Sequence, residues 1–586
     1  MILTNLLSRL LRRSPRRATA GRRLDEWLQQ GYRRQRDGEH AQAQLLFERV
    51  LKAAPDNVDA HYLLGSLLGE RGDLDGAAVH LGRAVAVKPD FSDAHAALGN
   101  VRLLQRDKPA ALASYERAVR LDQNNATVHS NLGLLYQGIG NCAAALREFQ
   151  TAYRLAPDLP GVIRNLTLVQ VELEQHDAAL AFLDPILSFR PEHVDALRCK
   201  GFVLQKMHKP DQALGYYQRV RALSGSDPEL LNNIGIVLQD LGRLEQAIEC
   251  YDAAIALKPD FPLAIWHRAL AHLLRHDFAR GWADYELRAI SVDQPQRPQH
   301  YPQWDGGGLA GCSVLVYAEQ GLGDEIMFAS CVPDIIAASK HCVIECSPKL
   351  ESIFRRSFPA ATVYAMTPSR NLPASVQEKS IGLQTAMGSL PRFLRRNYAE
   401  FPQHHGYLQA DRERVLFWRD RLSRLGPGLK VGISWQGGTL KTRRQVRSLP
   451  LPQWLPILRT PAIRFVNLQY TDCSTDLAEL EAAAGISISD WQEVRDDYEH
   501  AAALVSALDL VISVCTAVIH LAGALGRPVW IMAPFSPEWR YGIAGEKMPW
   551  YPSARVFRQP GCELWEPVVD EVARELVMLS ASGHRE

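Results

Sequence analysis

A glycine returns every 34 residues through the first half of the chain: Gly31, Gly65, Gly99, Gly133, Gly201 and Gly235 share one phase, and Thr167 fills the remaining position. A second small residue keeps step at Ala43, Ala77, Ala111, Ala145, Ala179, Ala213 and Ala247. Bulky residues follow at Phe47, Tyr115, Phe149, Tyr217, Tyr251 and Tyr285, and prolines at Pro55, Pro89, Pro157, Pro191 and Pro259. Two antiparallel helices cross closely only where small residues face each other, and an aromatic then fills the space beside the contact. Proline stops the second helix before the next unit begins. Each hairpin leaves an apolar face that only its neighbour covers, so the pattern predicts a stack of helix pairs.

This period is that of tetratricopeptide repeats. About eight units fit residues 24–291, the last degenerate, with Ala269 and Gly281 in the small positions. The first helices of such units line a concave surface. Asn131, Asn165 and Asn233 share one phase within them, interrupted by Cys199. Asparagine is a poor helix former, so its return points to hydrogen bonding with the backbone of an extended protein or peptide partner; a merely solvated polar position is the alternative. The spacing resembles the asparagine ladder of the eukaryotic protein O-GlcNAc transferases, with three rungs.

Composition narrows the function. A net charge of +1 over 586 residues supplies no field for nucleic acid. Ten cysteines without a C-x-x-C pair or zinc spacing argue against a metal site and a disulfide framework, and suit the reducing cytoplasm. No apolar stretch approaches the ~18–20 residues that span a bilayer. Residues 1–23 are basic and lack acids, which reads as a tail or as a peripheral contact with an anionic membrane surface.

After a Pro/Gln/Gly-rich linker at 292–312, apolar runs alternate with helical stretches, the signature of parallel α/β layers. A break at SRLGPGLK divides them into lobes at 313–425 and 426–560, followed by a helix and tail at 561–586. Open α/β sheets bind ligands at the carboxyl ends of their strands. There the first lobe carries EQGLGDE, where Gly321 and Gly323 leave room beside Asp324. The second carries Lys441, Arg443, Arg444 and Arg447 after a glycine turn, a set suited to a diphosphate, and CTAVIHLAGALGRP, whose helix start can hold phosphate on backbone amides. Trp435 and Gln469 end central strands and are candidates for the nucleoside.

Residues 313–560 resemble the ADP-heptose heptosyltransferases, inverting enzymes of the GT-B fold, and the bacterial proteins that join tetratricopeptide repeats to that module. The resemblance rests on GLGDEIMFASCVP, RSLPLPQW and CTAVIHLAGALGRP. It implies an α-solenoid followed by two Rossmann-like lobes, an acceptor lobe and a nucleotide-sugar donor lobe. It also implies Asp324 as catalytic base, Arg447 on the donor phosphate, and Thr516, Ala517 and His520 in the nucleotide-diphosphate loop. Cys515, Ala517 and Arg447 stand where the family has Asp, Gly and Lys, which leaves the donor open. The expected activity is metal-independent transfer of a sugar from a nucleotide diphosphate to a protein or surface-glycan acceptor, without a resident cofactor. A repeat scaffold whose transferase lobes have lost their chemistry is the alternative.

Overall fold

The computed structural model describes residues 19–288, 301–368, 371–373, 376, 380–438, 443–562 and 564–582. The chain packs as two compact units, one ending at Ser224 and the other running from Gly225. Residues 1–18 of the basic opening segment and Lys441 lie outside the described residues.

The first unit is six helical hairpins: α1 (Thr19–Arg36) and α2 (His40–Ala53), α3 (Val58–Glu70) and α4 (Leu74–Val87), α5 (Ser92–Leu104) and α6 (Lys108–Leu121), α7 (Ala126–Gly138) and α8 (Cys142–Leu155), α9 (Val162–Glu172) and α10 (His176–Phe189), α11 (Val194–Lys206) and α12 (Pro210–Ser224). Side chains fix several helix starts, because Asn57, Asp73, Asp107, Asn125 and Asn141 each accept from an orphan N–H in the following turn. The periodic glycines mark the closest crossings. A methyl added to Gly133 would sit 2.7 Å from the Phe149 ring, and one added to Gly201 would sit 2.8 Å from Tyr217. Where Thr167 replaces the glycine, Leu183 stands at the phase of the aromatic, and both are fully buried. The Thr167 hydroxyl donates to the Ile163 carbonyl within its own helix, so its burial leaves no polar group unpaired.

The second unit opens with two more hairpins, α13 (Pro228–Asp240) with α14 (Leu244–Leu257) and α15 (Pro262–Leu274) with α16 (Phe278–Tyr285). Two sheets follow. The first holds β1 (Ser313–Tyr317), β2 (His341–Cys346), β3 (Thr362–Ala365) and β4 (Leu383–Ala386), all parallel, in the order β3-β2-β1-β4. The second holds β5 (Leu429–Ser434), β6 (Ile463–Asn467), β7 (Leu510–Val514), β8 (Val529–Ala533), β9 (Lys547–Met548) and β10 (Tyr551–Arg558), in the order β6-β5-β7-β8-β10-β9. Among the described residues, only the β9–β10 pairing is antiparallel. Strand order reverses between β1 and β4 in one sheet and between β5 and β7 in the other, the points where such sheets open a crevice. Helix α17 (Leu322–Phe328) follows β1, and α18 (Ala517–Ala524) follows β7. Among the described residues, no helix is long and apolar enough to cross a membrane.

The last hairpin shares a core with the sheets. Trp282 of α16 is 1% exposed and meets Trp539 and Trp550 edge-on, with ring centroids 5.4 and 6.3 Å away, and it also contacts Phe328 of α17. Its indole N–H donates to the Arg395 carbonyl at 2.8 Å. Buried Arg288 binds Glu319 at 2.9 Å and the Ser389 hydroxyl at 2.7 Å. It thus links the turns that follow β1 and β4.

The repeat contacts set opposite outcomes for one substitution. Gly82, inside α4, has open space around it, so Gly82→Ala should stabilise by about 0.5–1 kcal/mol through helix propensity. Gly133→Ala drives a methyl into buried Phe149 and should destabilise by about 1–3 kcal/mol despite the same propensity gain. Denaturant unfolding of both variants checks the pair of signs.

Candidate functional site

The site lies where β5 and β7 diverge. After β5 the chain runs through Trp435, Gln436 and Gly437, and Gln469, just beyond β6, clamps this turn. The Gln469 amide oxygen accepts from the Ser434 hydroxyl at 3.0 Å and the Gln436 N–H at 3.2 Å, while its NH2 donates to the Gln436 carbonyl at 2.9 Å. Trp435 is fully buried in the second sheet's core, with its indole N–H on Asp476 at 3.2 Å. Both residues shape the turn from behind. Gly437 allows a close approach, since a Cβ there would lie 2.7 Å from the Cys515 carbonyl oxygen.

The three arginines of the basic run are each anchored. Arg443, with a left-handed φ of 59°, reaches Asp240 of α13 at 3.0 Å. Arg444 donates to the Gln436 side chain at 2.8 Å. Arg447 directs Nε and Nη2 to the Cys515 carbonyl at 3.2 and 2.7 Å, and its Nη1 to Glu538. The structure therefore joins Arg447 to the Cys515–Thr516 turn that opens α18. Thr516 is buried, its hydroxyl paired with Ser513 at 2.9 Å.

The first sheet meets this site through α17. Gly321 is the extended residue before the helix, with φ −75° and ψ 163°. Gly323 is a packing glycine: a Cβ there would lie 3.0 Å from the His520 ring and 3.6 Å from the Ala517 side chain, so α17 can lie directly on α18. Asp324, in the first turn, accepts from Arg540 Nε at 2.9 Å and also from Nη2 of the same guanidinium. Arg540 Nη1 in turn reaches Glu538 at 3.1 Å. One continuous row of charges results, Arg447–Glu538–Arg540–Asp324, drawn from the segments after β5, β8 and β1. Burial opposes the Arg540 charge, but Asp324 and Glu538 outweigh it and hold the guanidinium still more firmly protonated than usual.

Glu538 and Arg540 escaped the sequence reading. They sit in PFSPEWRY beyond β8, with no glycine turn to draw attention, although their place after a strand's carboxyl end was a usable signal. His520 is 4% exposed, and its Nδ1 lies 3.0 Å from the Tyr551 hydroxyl. Burial, with Arg540 and Arg447 adding to it, lowers its pKa to about 3, so the ring is neutral at physiological pH. A separate cavity of about 650 Å³ adjoins the turn, lined among others by Gln436, Arg444, Ser448, Leu451, Asp476 and Leu480. Among the described residues, no group of three or more His, Cys, Asp or Glu side chains is placed to hold a metal.

The three asparagines divide between the units, Asn131 and Asn165 in the first and Asn233 in the second. Asn131 is half-buried and donates to the Asn100 side chain at 3.2 Å; Asn165 is buried, and Asn233 half-buried.

Comparison with known proteins places the helical part. Tetratricopeptide repeat families match residues 35–101, 109–140 and 228–261. The helical hairpins are tetratricopeptide repeats. Protein FlbA of Caulobacter vibrioides is 35% identical over 340 residues, which cover 55% of this chain and 56% of FlbA. The chain thus spans little more than half the length of that curated relative. Among solved structures, a tetratricopeptide repeat protein from Parabacteroides merdae aligns at 14% identity and TM-score 0.36, covering 43% of this chain and 99% of its own. PilF of Pseudomonas aeruginosa aligns at 23% identity and TM-score 0.30, covering 35% and 94% respectively.

The state of His520 gives a stability prediction. Its folded pKa is depressed from 6.5 to about 3, so between those values the unfolded chain binds a proton that the folded chain refuses. Its contribution is complete above pH 6.5 and is lost as pH falls, by at most about 1.4 kcal/mol per pH unit. His520→Gln should flatten acid denaturation by up to one proton's worth of slope, measured as unfolding free energy against pH.

Proposed function

We propose that the second unit is a glycosyltransferase of GT-B architecture, with Rossmann-like lobes built on the two sheets, acting on a nucleotide-diphosphate sugar. The observation that carries this reading is the meeting of Asp324, from the turn after β1, with Arg447 and the start of α18 in one connected row of charges. An inverting transfer needs a base on the acceptor side and cations with backbone amides on the donor side. Asp324 takes the proton of the acceptor hydroxyl while that oxygen attacks the anomeric carbon. The bond from that carbon to the phosphate oxygen breaks, and its electron pair leaves with the diphosphate. Arg447 and the amides around Thr516 stabilise this departing charge without a metal. The repeats bind the acceptor or its carrier, a role consistent with the protein and peptide binding for which such repeats are used.

A second reading, a binding scaffold without chemistry, draws support from the same row, because both guanidiniums are already occupied by protein groups. Incubation of the purified chain with a panel of nucleotide-diphosphate sugars separates the two. The enzyme should release free nucleoside diphosphate, and Asp324→Asn should slow turnover by roughly two to four orders of magnitude. Release from no member of the panel favours the scaffold, and near-normal turnover in Asp324→Asn removes Asp324 from the mechanism.

A further inference from the structure

Arg540 takes no part in the transfer step itself, yet it occupies the centre of the site. Its fork is divided between Asp324 and Glu538, and Arg447 reaches the same Glu538 from the opposite side. The guanidiniums therefore converge from separate segments on a single carboxylate. The row is only partly covered: side-chain exposure is 13% for Arg447, 15% for Arg540, 17% for Asp324 and 28% for Glu538. Each of the four side chains keeps some contact with solvent. A guanidinium fork fits carboxylate and phosphate oxygens alike: Arg540 holds Asp324 through Nε and Nη2, while Arg447 turns the same pair to the Cys515 carbonyl and shares Glu538 with Arg540 through Nη1.

We propose that Arg540 and Arg447 together bind a diphosphate, and that Asp324 occupies the Arg540 fork as a counter-ion until the diphosphate arrives. The inference rests on the glycosyltransferase reading and adds to it a second donor ligand and an order of events. Without donor, Arg540 ties up the carboxylate that must accept a proton. A diphosphate competes for the fork with more charge than Asp324 carries, and Arg540 keeps its own proton throughout, so only its partner changes. Asp324 then stands released beside Gly321, and the base becomes available only when the sugar to be transferred is in place. Donor binds before acceptor.

Calorimetry of the full chain with inorganic pyrophosphate tests the exchange. Arg540→Gln should weaken pyrophosphate binding roughly ten- to a hundredfold, the scale of one charge-assisted contact, with Arg540→Lys between it and the parent. Asp324→Asn removes the competing charge at constant shape and should tighten binding several-fold. A purely structural ion pair predicts no such gain. Unchanged affinity in Arg540→Gln, equal or weaker binding in Asp324→Asn, or no pyrophosphate binding by the parent chain overturns the inference. If Arg540→Gln shows no cooperative unfolding, the Asp324→Asn comparison decides alone. Pyrophosphate binding with the predicted gain, in a chain that cleaves no nucleotide sugar, supports the anion site and removes the transferase reading.

Discussion

The packing of Trp282 is the contact on which the second unit's geometry depends. This one side chain of the last repeat touches Phe328, at the end of the helix that carries Asp324, and Trp539, the neighbour of Arg540. Losing a fully buried Trp costs about 3–5 kcal/mol, a large share of the usual stability of a domain. The last hairpin therefore belongs to the core of the α/β layers. Arg288, just beyond it, binds Glu319 in the turn before Gly321 and the Ser389 hydroxyl beyond β4. The second sheet's crevice, between β5 and β7, is the one that brings glycine, arginine and a helix start together.

The row alternates charge, each guanidinium meeting a carboxylate. Removing one member of a partly buried pair leaves the other uncompensated at a cost of several kcal/mol, so the row holds the segments after β1, β5 and β8 in register.

The repeats were legible because their period is strict and its physical cause is local: Gly133 leaves room for Phe149, and Gly65 for Leu81. The parallel layers were legible from alternating apolar runs, and the structure places Asp324, Arg447 and Thr516 beyond the carboxyl ends of strands, as their sequence positions implied. Side-chain roles were less so. Trp435 and Gln469 look on paper like ligands for a nucleoside, but one is buried core and the other a clamp, which depends on neighbours that no local pattern specifies. Gly323 reads as a ligand-contacting glycine and serves in the structure as the contact between α17 and α18. The Arg540–Asp324 pair joins residues 216 positions apart, and the Trp282–Arg395 bond spans 113; neither separation leaves a periodic trace.

The most direct test of the account is a crystal structure of the chain with a bound nucleoside diphosphate. The account places the diphosphate between Arg447 and Arg540, at the start of α18, with the Asp324 carboxylate parted from Arg540. A nucleotide seated elsewhere, for example in the cavity beside Asp476 and Leu480, with the Arg540–Asp324 pair intact, would contradict it.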